Sequence, residues 1–286
     1  MSDAAYGDWI GRTQTRADLI SPFPPQALAA LLEAPAASVG IGAALPPGWQ
    51  WLYFLDALTP AETGPDGHPR RGGFLPPIAL ERRMWAAGRF EMLRPLVIGQ
   101  AAEKTSRVVS ITPKRGASGE MIFVSVEHLI SQNGALCLRE EQTLVYRAMP
   151  TGPMDAQEVV DSTPSDWSAA APTDPVSLFR YSALTYNGHR IHYDSAYARE
   201  VEHYPGLVVQ APFLATLLLN LVGRRHADAG LRTFEFRAIA PTFSGDSLLL
   251  HGSDTENGAV LWAKSNRGVG MRAIARFDKG ASHGGA

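Results

Sequence analysis

The 286-residue chain has one cysteine, Cys137, no excess of basic charge and no long uninterrupted apolar run. Each shortage excludes something. A single cysteine rules out an internal disulfide framework and any Cys-rich zinc cluster, and it fits a reducing compartment, the cytoplasm. Lys and Arg total 26 against 28 Asp and Glu, a net charge of −2. No global field therefore attracts nucleic acid or an anionic membrane, and an anionic ligand must be met by local arginines. The opening segment, MSDAAYGDWIGRTQTRADL, lacks a basic stretch followed by an apolar core, so no signal peptide is expected. The stretch 206–223, GLVVQAPFLATLLLNLVG, is broken by Gln210, Pro212, Thr216 and Asn220 and sits at the lower edge of spanning length. It reads as a buried central helix rather than a membrane span.

What is present is a chain with 45% hydrophobic and 19% charged residues, enough for a real core. Residues 149–175 carry five prolines and few large aliphatics and read as a linker between 1–148 and 176–286. The flanking halves echo each other. Phe90-Glu91 is followed by Pro95 and Gly99; Phe234-Glu235 is followed by Pro241 and Gly245. Strand-like residues follow each, and Asn133-Gly134 is a two-residue hairpin turn. A repeat of about half the chain means a duplicated domain rather than a solenoid.

The second half adds the long apolar helix, with Arg224 and Arg225 at its C-terminal end where the helix dipole favours cations. A sheet wrapped around one buried helix is the hot-dog fold, so the expected class is α+β, a double hot-dog. In the first half the corresponding region, PPIALERRMWAAGRFEML, reads as a reduced helix that leaves room for a ligand. FPPQALAALLE, from Phe23, reads as a surface helix with proline in its first turn.

Between SLFRYSALT, read as a strand, and SAYAREVEHYPG, read as a short helix capped by Asp194 or Ser195 and ended by Gly206, lies YNGHRIHYD. A loop on a rigid scaffold suits catalytic groups. The pair His189 and His192 lacks the further ligands that zinc needs, so no metal is expected. A hydrogen-bonded polar turn is the plain alternative.

LTYNGHRIHYD, residues 184–194, resembles the motif of the MaoC-like (R)-specific enoyl-CoA hydratases and dehydratases, Asp-x-Asn-Pro-x-His. Asn187 stands at the Asp place, His189 at the Asn place, Arg190 at the Pro place and His192 at the catalytic His place. The H-R-I-H variant is similar to 3-methylfumaryl-CoA (mesaconyl-CoA) and itaconyl-CoA hydratases, and the resemblance extends over both halves. It implies a hydro-lyase with no cofactor beyond its acyl-CoA substrate, and a homodimer. There are two departures: Asn187 cannot accept a proton near neutral pH, and the His-Gly usual at the start of the central helix reads Gln210-Ala211.

On that resemblance His192 is the expected base and later acid, and Asn187 holds the water. Backbone N–H groups at Gln210 and Ala211 bind the thioester oxygen with the helix dipole behind them. His189 is a water-holding or structural residue. A dicarboxylic substrate would set its free carboxylate against Arg190, Arg82 or Arg83, and CoA phosphates would meet Arg224 and Arg225. The rivals are a hot-dog thioesterase and a silent acyl-CoA-binding protein.

Overall fold

The two Phe-Glu pairs meet across the middle of the molecule. The computed structural model describes residues 3–34, 39–116, 119–150, 152 and 163–278. Among these residues the first half contributes β1 (Thr13–Leu19), β2 (Arg82–Met92), β3 (Ala101–Gly116), β4 (Gly119–Gln132) and β5 (Ala135–Arg147). The second contributes β6 (Trp167–Ala171), β7 (Leu231–Ala238), β8 (Leu248–Thr255), β9 (Gly258–Ser265) and β10 (Gly268–Phe277). All pair antiparallel in one sheet of order β1-β3-β4-β5-β2-β7-β10-β9-β8-β6. Matching β1 to β6, β2 to β7 and so on, one half of that order is the other reversed. Phe90 of β2 lies directly opposite Phe234 of β7, with ring centroids 5.7 Å apart. The duplication expected from sequence is thus a pseudo-twofold in the sheet.

Local chemistry explains why the echoed residues recur. Gly99 and Gly245 sit at φ +92° and +86° in the turns that lead into β3 and β8, a conformation that L side chains resist. Asn133 and Gly134 both take positive φ, 50° and 75°, as a type I′ hairpin between twisted strands requires.

In the second half the sheet wraps α4 (Ala211–Arg225), whose Phe213, Leu214, Ala215, Leu217, Leu218 and Val222 are buried. No described helix is long and apolar enough to cross a membrane. Among the described residues the first half has no counterpart to α4, and the space is partly a cavity of about 740 Å³. The fold is a double hot-dog, but with its two halves joined edge to edge in one sheet rather than as two sheets. Its main core cluster draws residues from both halves.

Several local expectations need correction. Arg82 to Met92 is not a reduced helix but the central strand β2, bonded to β5 on one side and β7 on the other. Its Arg, Met and Ala favour helix, but pairing on both edges overrides them. Gly88 is part of that fit, since a Cβ there would overlap the Phe236 ring. SLFRYSALT is not a strand but belongs to α2 (Pro175–Leu184), started by Asp174, whose Oδ1 accepts from the N–H groups of Val176 (3.0 Å) and Ser177 (3.1 Å). FPPQALAALLE forms α1 (Phe23–Leu31), with Leu28 and Ala29 buried against the core rather than lying on the surface. Within the expected linker, Trp167–Ala171 is the edge strand β6 on β8; residues 151 and 153–162 of that linker lie outside the described residues.

Candidate active site

The histidine loop is fixed at both ends by its own polar residues. After α2, the Asn187 N–H donates to Ser182 O (2.8 Å), and Asn187 Oδ1 accepts the His189 N–H (3.1 Å). Arg190 to His192 make one 3₁₀ turn. Asp194 then caps α3 (Ser195–Glu200), accepting the Tyr197 N–H at 3.0 Å. The helix ends well before Gly206: His203 takes φ +56° and the Tyr204 N–H closes onto Ala198 O at 2.9 Å.

His192 is buried, and its Nδ1 donates to Val208 O at 2.7 Å. That bond leaves Nε2 with its lone pair. Burial pulls the imidazole down to about 4, although the Val208 carbonyl works against it. The Val208 N–H in turn donates to Ile191 O at 2.9 Å. The loop and the segment leading into α4 are therefore stitched together three residues before α4 begins.

Gln210 is the N-cap of α4 and is fully buried. Its Nε2 donates to Leu178 O and Ser182 Oγ, each at 2.9 Å, which ties the start of α4 to α2. Its Oε1 is buried with no protein partner among the described residues. The first-turn N–H groups of Ala211 and Phe213 belong to the helix's orphan donors, and Pro212 between them lines the cavity.

The arginines divide. Arg82 is buried in an ion pair with Glu202 (2.8 Å) and stacks on Tyr204 at 4.6 Å. Arg190 pairs with Asp194 (2.8 Å), donates to Pro65 O (3.2 Å) and covers Tyr197 at 4.1 Å. Both guanidinium groups are therefore committed to structure, against the expectation that they bind substrate. Arg83 makes no ion pair within 4 Å among the described residues, and its charge acts on Asp66, His68 and His189. Arg224 donates to Leu32 O (2.7 Å) and Glu33 O (2.8 Å), and Arg225 lies 3.7 Å from Asp254. The α1 C-terminus and an acid thus account for these two.

A second loop, from the first half, completes the site, and the sequence reading missed it. In GPDGHP, Asp66 Oδ2 lies 3.0 Å from His68 Nδ1. The His68 ring packs on His189 with centroids 4.0 Å apart, and His189 meets His192 at 5.3 Å. Burial, then the neighbouring His68, His192, Arg83 and Arg82, hold His189 neutral well below the usual imidazole range. The Arg190 N–H donates to Asp66 O at 2.9 Å. An acid and a histidine flanking a glycine, followed by paired arginines, was the available signal.

Backbone meets backbone where the loops touch. Gly67 sits at φ +87°, and a Cβ there would run into Gly188 O. Gly67→Ala is expected to push the loops apart and cost about tenfold to a hundredfold in kcat/KM, as misplacement of about 1 Å does. Steady-state kinetics beside thermal unfolding checks this.

Asp66, His68 and His189 bring three metal-type donor atoms within 4.8 Å of one another. However, the carboxylate is occupied by His68, and the charges of Arg82 and Arg83 bear on the cluster, which opposes a dication. His68, Asn187, Gly188 and Pro212 line the 740 Å³ cavity, with Trp51, Trp85 and Phe54 among its apolar walls. His189 stands one ring behind His68, and His192 behind His189.

The sequence profile of the hydroxyacyl-thioester dehydratase type 2 family matches residues 48–244, a span that holds both loops. Over 245 residues the chain is 44% identical to the mesaconyl-C(4)-CoA hydratase of Chloroflexus aurantiacus, covering 85% of this chain and 87% of that one. Among solved structures, a MaoC-like dehydratase of Phytophthora capsici superposes with a TM-score of 0.70 at 13% identity, over 96% of this chain and 97% of that one. A Mycobacterium tuberculosis protein described as having a double hot-dog fold gives 0.56 at 12% identity, over 94% and 96%. These two likenesses establish the fold alone.

Proposed function

The chain belongs to the hydroxyacyl-thioester dehydratase type 2 family, MaoC-like hydratases of acyl thioesters, and from that premise we propose that it adds water reversibly to a short branched dicarboxylic enoyl-CoA, 3-methylfumaryl-CoA or itaconyl-CoA, giving citramalyl-CoA. The observation that carries this reading is His192. Its Nδ1 is spent on Val208 O, so an Nε2 with its lone pair is held in the loop, and the start of α4 follows three residues after the carbonyl that fixes it.

Water bonds to Cβ, the π electrons move to Cα and the thioester oxygen, and Cα takes a proton. The Asn187 amide, on the cavity wall, holds the water, and an imidazole among the packed rings of His68, His189 and His192 takes its proton, since an amide cannot. The thioester oxygen, which gains charge as the enolate forms, meets the orphan N–H groups at Gln210 and Ala211 and the positive end of the α4 dipole. The site needs no cofactor or metal for this chemistry. A cytoplasmic setting agrees with one buried, unpaired cysteine, and light scattering would test the homodimer.

Of the expected carboxylate partners Arg83 is the one outside an ion pair within 4 Å among the described residues, its charge bearing on Asp66 and on the Tyr146 hydroxyl, and this supports the dicarboxylic reading. Arg83→Gln should raise KM for 3-methylfumaryl-CoA about tenfold to a hundredfold, the worth of a charge-assisted hydrogen bond. KM for crotonyl-CoA, which has no free carboxylate, should stay near wild type. The primary test mixes the protein with 3-methylfumaryl-CoA, itaconyl-CoA and crotonyl-CoA and follows enoyl absorbance, free thiol and product mass. A product heavier by one water supports the hydratase. Free thiol would mean a thioesterase, and binding without turnover a silent acyl-CoA carrier.

A further inference from the structure

The histidine loop alone offers no carboxylate for proton transfer. Asn187 fills the place where the motif carries an acid, and the nearest acid in the loop, Asp194, is used in capping α3 and pairing Arg190. His192 has only a carbonyl oxygen, at 2.7 Å, to support the charge it would acquire. The GPDGHP loop supplies what is missing. Asp66 Oδ2 is 3.0 Å from His68 Nδ1, and Asp66 Oδ1 accepts the His68 N–H at 3.1 Å. With Nδ1–H given to the carboxylate, Nε2 is left as the acceptor. His68 also lines the cavity beside Asn187 and Gly188, where an acyl thioester would lie.

We propose that His68, oriented by Asp66, is a second catalytic base of this hydratase and the group that carries the water's proton from oxygen to the α carbon. The inference rests on the hydratase reading of the same site. As the water oxygen bonds to Cβ, one O–H proton passes to His68 Nε2, and the π pair moves to Cα and the thioester oxygen. When the enolate collapses, the same N–H returns that proton to Cα and the neutral imidazole is restored. One water is consumed, and nothing is oxidised or reduced.

Two features favour His68 over His192 as the carrier. An imidazolium facing a carboxylate is stabilised about twice as well as one facing a neutral acceptor. Asp66 also stays ionised: burial alone would raise it, but bonds from His68 and the Arg83 charge hold it at about 2. Around His68 stand Asp66, Arg83, Arg71, His189 and His192. Burial and the two arginines oppose its protonation, and Asp66 is the one group among them that favours it. That balance suits a base that is neutral at rest and charged only in passing. Asp66 is a positioning residue, acting through His68.

Full pH–rate profiles with 3-methylfumaryl-CoA test this in wild type, His68→Asn and Asp66→Asn. Asparagine at 68 keeps an N–H for Asp66 but deletes the base, so kcat should fall by about two to four orders of magnitude with KM nearly unchanged. Asp66→Asn should lower kcat about tenfold or more and move the acid limb of kcat to lower pH, because the group that favours imidazolium is gone. If a variant unfolds thermally at assay temperature, His68→Ala with added imidazole gives the second reading, in which partial rescue supports a base. Wild-type kcat in His68→Asn, an unmoved acid limb in Asp66→Asn, or activity lost to a chelator and restored by zinc would overturn the proposal. A wild-type protein that adds no water to any enoyl-CoA overturns the hydratase reading instead.

Discussion

His192→Asn should lower kcat by at least about a hundredfold, the usual worth of a positioned acid–base group, while CoA-ester binding and the fold persist. The asparagine amide can still donate to Val208 O, replacing the 2.7 Å bond from Nδ1, but it has no basic nitrogen. His192→Ala removes the same chemistry and also strands a buried carbonyl, at about 1–3 kcal/mol of stability. Two variants with equal loss of turnover and unequal loss of stability would separate the base from its anchor. Stability against pH gives an independent reading. The folded imidazole is held at about 4 by burial, below about 6.5 for an unfolded histidine. The unfolded chain therefore binds the proton first as acid is added. The contribution of neutral His192 is complete above about pH 6.5 and is lost as pH falls through about 4. His128, also held at about 4 by burial, adds the same trend in both proteins, so wild type minus His192→Asn isolates His192. A difference that does not vary with pH would mean that His192 is not buried neutral.

The parts of the molecule legible in the sequence were those written in local chemistry. Gly99 and Gly245, Asn133-Gly134, the Asp194 cap and the largely apolar stretch of α4 each report a backbone requirement at their own position, and together they revealed the duplication and the central helix. The segments misread were those whose conformation is set by distant partners. Nothing local in RRMWAAGRFEM says strand; β5 and β7 impose it from both edges. The α2 start was legible in Asp174-Pro175 but was outweighed by the Phe, Tyr and Val nearby. Half of the site was missed for the same reason. Asp66 and His68 lie more than a hundred residues from His192, and it is tertiary contacts, the approach of Gly67 to Gly188, the bond from the Arg190 N–H to Asp66 O and the His68–His189 packing, that bring them to it. Arg82 and Arg190 had the right charge, but Asp194 was read only as a helix cap, and Glu202, the partner of Arg82, lies more than a hundred residues away along the chain.

Arg82→Met should destabilise the protein by about 3–5 kcal/mol, the cost of leaving one buried charge without its partner. Both side chains are about one-twentieth exposed and 2.8 Å apart. Burial raises the Glu202 carboxyl against the pull of Arg82, and burial lowers Arg82 against the pull of Glu202. The pair therefore holds together two charges that would each be costly alone. Glu202→Leu alone should be comparably damaging. The double variant should recover most of the loss, because a well-packed apolar pair of similar volume often matches a buried ion pair. Chemical denaturation of the four proteins gives the coupling directly. Position makes this pair matter for function: Arg82 lies on the Tyr204 ring, and Tyr204 packs with Ile191, Val208 and Phe243 under the histidine loop. In the double variant KM for a dicarboxylic enoyl-CoA should stay near wild type, since the guanidinium faces Glu202 rather than substrate. A large rise in KM with stability unchanged would return Arg82 to the substrate site, where its sequence position first suggested it.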